Sequence, residues 1–147
     1  MYKKISNKTR AIVVGILILI AYGVLASSLT HSKIIVMLAD TISGLAVIGI
    51  AVLMFPLFKQ LNKSLSIGYL ILKYAEGILM IIAGLLFLDT SLQYMRDIIY
   101  ERFHIYVFII GAFMFYYLLY KSKLVPRFIS IWGALGIFAL LMSTLLN

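Results

Sequence analysis

Three ionisable residues, Asp40, Lys73 and Glu76, sit inside long apolar stretches of the chain. An ionisable group held near the centre of a bilayer costs roughly 3 kcal/mol or more, so such groups face inward and find partners. Lys73 and Glu76 are three residues apart, and on one helix they share a face. Counting helical rise places Lys73 about 9 Å and Glu76 about 13 Å in from one end of their apolar stretch. Asp40 lies about 9 Å in from the opposite side on the preceding stretch, so it reaches Glu76 only through a water or a hydroxyl. Thr41 and Ser43 follow Asp40, and Tyr22 falls near the middle of the first apolar stretch. Tyr22 shares a stripe with Ala11, Gly15, Ile18 and Ala26, the small-residue face expected to pack against a neighbour. The expectation is therefore an intramembrane polar cluster of Tyr22, Asp40, Ser43, Lys73 and Glu76.

Two chemistries are open to that cluster. In one, Lys73 and Glu76 form a structural ion pair while Asp40 snorkels or is capped by hydroxyls. In the other, the cluster is a proton relay or a small-ligand site. Its charges leave one negative charge unmatched, which a bound proton could neutralise.

Other chemistry is thinly represented. The chain has no cysteine, which removes disulfides, thiolate metal sites and cysteine nucleophiles. His31 and His104 both fall at one boundary of the apolar runs; as an unaligned pair they read as interfacial polar residues rather than as metal or haem ligands. Ser43-Gly44 with His104 has a faint likeness to an intramembrane serine protease, but no nucleophile motif supports it. No phosphate-binding loop, zinc-protease helix or dinucleotide glycine pattern occurs. No cofactor or metal is expected, and the balance leans away from an enzyme.

The elements that must position these residues follow from composition. Of 147 residues 64% are hydrophobic and only 12% charged, with a mean hydropathy of +1.11. A soluble domain of this size cannot bury that much apolar surface, so the solvent for most of the chain is lipid. Five runs approach the roughly 20 residues that a spanning helix needs. They cover 11–29, 34–56, 67–88, 103–120 and 128–146. Continuous rather than alternating runs mean helices, not barrel strands. The fold class is all-α: a single polytopic transmembrane helical bundle, with no domain boundary or repeat.

Charge placement orients it. Lys3, Lys4, Lys8, Arg10, Lys59, Lys63, Lys121, Lys123 and Arg127 fall on one side, against Lys33, Arg96 and Arg102 on the other. The positive-inside rule puts the N-terminus in the cytoplasm and the C-terminus outside. The net charge of +8 thus encodes topology rather than nucleic-acid binding. Lys59, Lys63, Lys121, Lys123 and Arg127 are the cytoplasmic loop anchors. Tyr69, Tyr116, Tyr117, Tyr120 and Trp132 are expected at the cytoplasmic interface, with Tyr94, Tyr100 and Tyr106 at the outer one. The first run, ending in Val24-Leu25-Ala26-Ser27, also has the look of a cleavable signal and is read as a retained helix.

Between the third and fourth runs, Asp89, Thr90 and Ser91 are helix-capping types, and Leu92, Met95, Ile98 and Ile99 recur at helical spacing. Arg96, Asp97, Glu101 and Arg102 cover the other face. This predicts an amphipathic helix over 91–102, lying on the outer leaflet. Gly44 with Gly49, Gly77 with Gly84, and Gly133 with Gly136 are expected to let helices approach closely.

Four stretches carry a family resemblance. They are Leu38-Ala39-Asp40, the run Leu57-Phe58-Lys59-Gln60-Leu61-Asn62-Lys63-Ser64-Leu65, then Lys73-Tyr74-Ala75-Glu76, and Tyr120-Lys121-Ser122-Lys123-Leu124-Val125-Pro126-Arg127. Through them the chain resembles the domain of unknown function 4386 family, prokaryotic membrane proteins without a settled activity. The resemblance implies that Asp40, Glu76 and the Ser-x-x-x-Pro-Arg loop are family features.

The functional expectation is a multi-pass protein of the cell (cytoplasmic) membrane acting as a non-catalytic subunit, regulator or helper of a membrane assembly. Its partners would be the bilayer and a membrane protein or a second copy, with no nucleic acid. The alternative is a small ion- or proton-coupled transporter using the Asp40, Lys73 and Glu76 cluster. A lipid-modifying enzyme built from His104, Asp97 and Glu101 ranks third.

Overall fold

A computed structural model describes residues 6–23 and 32–146. All regular structure among them is helical. The elements are α1 (Asn7–Gly23), α2 (Lys33–Leu61), α3 (Lys63–Leu86), α4 (Gln93–Ile98), α5 (Ile105–Ser122) and α6 (Arg127–Leu146). A short 3₁₀ turn, Thr90–Leu92, precedes α4, and a π-helical stretch, Ile99–His104, joins α4 to α5. Four helical stretches are long and apolar enough to cross a membrane: Lys33–Leu61, Lys63–Leu86, Thr90–Ser122 and Arg127–Leu146. The described part of α1 has 17 residues, and the remainder of the expected first span lies outside the described residues.

Element edges depart from expectation where polar residues prove helical. The loop expected between the second and third runs shrinks to Asn62, so Lys59 and Lys63 belong to α2 and α3. Asn62 makes so short a turn because its two polar groups serve both helices. Its backbone N–H donates to the Phe58 carbonyl at 3.1 Å, and its side-chain oxygen accepts from Leu65 N at 3.0 Å. Segment 91–102 is helical and runs on into the next span, giving one helix of 33 residues from Thr90 to Ser122. At the far end of α5, Lys123 takes a left-handed conformation (φ 54°) that stops the helix before Pro126.

Apolar burial gains little for helices already in lipid, so close packing and internal polar pairing hold such a fold. The tightest contact is between α2 and α3. A Cβ on Gly44 would lie 2.6 Å from the Gly77 carbonyl oxygen, and one on Gly77 the same 2.6 Å from that of Gly44. Gly84 meets Asp40 Cβ and the Met37 carbonyl, and Gly133 receives the Tyr116 ring. Gly136, expected to pair with Gly133, has nothing nearby. In α1 the packed residues are Val14, Leu17 and Ala21, while Gly15 faces open space and Ala11 and Tyr22 are exposed. The small-residue stripe is therefore not the packing face of α1. A helix apolar on all sides carries no moment to mark its inner face. Burial of the apolar windows falls from 44% in α2 to 11% in α6, so α2 is central and α6 is peripheral.

The turn after α3 is tied down by polar contacts. Asp89 accepts from Ser91 N at 2.9 Å and Ser91 Oγ at 2.8 Å, and Lys33 Nζ donates to Thr90 Oγ1. The two Ser91 bonds, aided by the Lys33 charge, hold the Asp89 carboxyl below its ordinary value of 3.8. A depressed carboxylate stabilises the fold above that ordinary value and loses its contribution as pH falls through the folded one. Asp89→Ala should therefore melt below the parent at neutral pH, with the gap narrowing as melts are taken below pH 3.8. A gap constant with pH would count against this account.

Candidate functional site

The five residues expected as one polar cluster divide into two ion-pair centres. In the first, Lys73 and Glu76 lie on the inner face of α3, both buried, with Nζ and Oε2 2.6 Å apart. The i, i+3 spacing sets this contact, and α5 accommodates it. The aliphatic stem of Lys73 runs past Gly111, where a Cβ would come within 3.3 Å of Lys73 Cε. The Lys73 ammonium also lies 5.2 Å from the centre of the Phe108 ring, whose face attracts a cation.

The second centre was not legible as a pair. Asp40, 5% exposed on α2, accepts from Arg96 of α4, with Nη2 at 3.0 Å and Nε at 3.2 Å from Oδ2. The Arg96 guanidinium is sandwiched by rings, 4.9 Å from the centre of Phe87 and 4.8 Å from that of Tyr100. It had been placed on the solvated face of an amphipathic helix. In the fold it turns inward, since it is the cation that compensates Asp40. Asp97 stays exposed and only loosely opposite Arg96, at 3.9 Å. A signal existed in the charge sum: once Lys73 and Glu76 cancel, Asp40 demands a base, and Arg96 was among the few at that end.

Between α1, α2, α3, α5 and α6 lies a cavity of about 80 Å³, lined among others by Tyr22, Val47, Tyr69, Lys73, Phe108 and Tyr116. Tyr69 is a correction. Expected at the interface, it is fully buried, stacked on Phe115 at 5.9 Å and edge-on to Phe58 at 5.6 Å. Its hydroxyl and the buried Ser43 hydroxyl make no hydrogen bond to protein groups. A polar space of this size holds a few waters, which could satisfy such groups. Tyr22 touches Phe108 edge-on at 6.2 Å and lines the cavity, but it is 46% exposed and so stands at the cavity wall rather than within a sealed core.

His104 is held between Tyr100 (4.9 Å) and Phe108 (6.2 Å) with its Nε2 buried. His31 lies outside the described residues, as do Lys3 and Lys4. Among the described residues no group of three or more His, Asp or Glu side chains could hold a metal ion. The loop anchors gather at one end of the fold: Lys59 over Phe55 (5.8 Å), Lys121 over Tyr117 (5.8 Å) and Arg127 over Tyr120 (5.1 Å), with Lys63 and Lys123 at the adjoining turns.

No curated protein and no solved structure matches the chain. A family model does, over residues 25–104 and again over 87–147, together most of the sequence and both ion-pair centres. By that match the chain belongs to the domain of unknown function 4386 (DUF4386) family.

Proposed function

We propose that this protein is a non-catalytic subunit or helper of an assembly in the cell membrane, with its N-terminus in the cytoplasm and α6 as its docking helix. The observation that carries this reading is the Arg96–Asp40 contact. It matches the charge that would otherwise be free for coupling: two acids and two bases at depth are joined in two pairs within the chain. Ionised groups satisfied in this way act as internal struts.

The lightly covered α6 supports the docking role. Phe128, Ile131, Leu135, Phe138, Met142 and Leu145 are all exposed and follow one another at alternating steps of three and four. That spacing makes a continuous seam able to pack against another spanning helix. Native mass spectrometry on protein gently extracted from its own membrane should find a fixed complex with a second polypeptide. The Leu135→Ala/Phe138→Ala double variant should lose that polypeptide while remaining folded. A solitary chain from the parent would overturn the reading.

The cavity beside Lys73 favours a second reading, a small ion- or proton-coupled transporter. It requires Glu76→Gln to abolish a pH-dependent flux in vesicles, and unchanged flux would remove it.

A further inference from the structure

A second space opens beside the first. α1 packs on α2 and makes no comparable contact with α5 or α6, leaving a cleft of about 470 Å³ between them. Its walls are apolar over most of their length, formed by Val14, Ile18, Met54, Leu57, Phe115 and Leu119 among others. Lys8 and Arg10 line its end near the α5–α6 turn, where Leu124 and Val125 also contribute. Arg10 is half-buried, and its Nε is fully covered with no acceptor.

We propose that this cleft binds one anionic phospholipid, its phosphate at Arg10 and Lys8 and an acyl chain along the apolar wall. Three observations converge on that occupant. The buried guanidinium nitrogen calls for an acceptor, and a phosphate matches the fork of an arginine. An apolar helix or an uncharged lipid would leave that donor unmatched. Ile18, Phe115 and Tyr116 line both the cleft and the inner cavity, so the two spaces are neighbours along α1. From Arg10 to Tyr22 the helix rises about 18 Å, close to the depth of one leaflet's hydrocarbon, about 15 Å. The headgroup belongs at the basic end rather than at the inner lysine, because Lys73 is already matched by Glu76 at 2.6 Å.

The test is lipid retention. The protein is reconstituted in bilayers of equal phosphatidylglycerol and phosphatidylcholine, released in mild detergent and weighed by native mass spectrometry. One phosphatidylglycerol per chain should remain in preference to phosphatidylcholine. Arg10→Ala should cut retention about fivefold, the worth of one basic side chain beside anionic lipid. Ile129→Trp, which fills the cleft from an exposed position on its rim, should do the same. Arg127→Ala removes an equal charge near the same end but outside the cleft, and should keep the lipid. Equal retention of the two lipids, no loss in Arg10→Ala, or equal losses in Arg10→Ala and Arg127→Ala would each overturn the proposal, since each describes lipid held by general surface charge.

Discussion

Arg96→Ala should be among the most damaging single substitutions in this chain. It leaves the Asp40 carboxylate, 5% exposed, without the two charged hydrogen bonds that compensate it. Removing one partner of a buried pair costs about 3–5 kcal/mol, because the other charge stays buried and unmatched. The lower end applies here, as the Arg96 side chain is 23% exposed and gives part of its interaction to water or headgroups. Loss of the stacking on Phe87 and Tyr100 adds to the damage. Denaturant titration in a fixed detergent should place the variant about 3 kcal/mol below the parent. The companion Arg96→Met/Asp40→Leu should recover most of that, since removing both charges leaves nothing unmatched. A loss under about 0.5 kcal/mol in Arg96→Ala, the size of an ordinary surface change, would show that the pair is not a strut.

The second large effect belongs to Gly77. Alanine there brings a methyl group to 2.6 Å from both the Gly44 carbonyl oxygen and Ile48 Cγ1. Ile48 can rotate away, but the carbonyl is backbone and moves only if α2 and α3 separate. Overpacking of this kind costs about 1–3 kcal/mol, and it outweighs the roughly 1 kcal/mol that alanine gains over glycine in helix propensity. Gly136→Ala and Gly15→Ala are the internal controls, since a Cβ at either has nothing within 4 Å. They should be neutral or stabilising under the same titration. Gly77→Ala and Gly44→Ala together should cost less than the sum of the single changes, because both strain one contact. If all four glycines responded alike, propensity rather than the α2–α3 approach would govern them.

Depth was legible in this sequence, whereas rotation about each helix axis was not. Counting rise from the ends of the apolar runs placed Lys73, Glu76 and Asp40 inside the spans, where they lie. The Lys73–Glu76 pair needed only the helical repeat, and it formed. Tyr69 shows what counting misses. Six residues into α3 it sits near a boundary by depth, yet its azimuth carries it between Phe58 and Phe115. On a helix apolar all round, nothing in the residue pattern distinguishes the lipid side from the packed side. The same ambiguity misassigned the inner face of α1 to the Ala11, Gly15 and Tyr22 stripe. Arg96 was missed for another reason: its partner is 56 positions away, and its surroundings fit an ordinary amphipathic surface. Local pattern cannot register a bond of that range, although charge balance asked for one.

The π-helical turns between Ile99 and His104 bear on how this long helix tolerates change. Such a stretch holds an extra residue within an otherwise regular helix, shifting the phase of everything beyond it. Arg96 lies before the shift and Phe108, the ring over Lys73, lies after it. The stretch therefore acts as a vernier that sets one ion-pair centre against the other along a single rod. Losing one residue there would turn the two halves by about 100° relative to each other while lengthening or shortening no apolar run. A relative could keep its hydropathy profile through such a deletion and still be unable to hold both centres, so alignment gaps at this point carry more weight than those at either end.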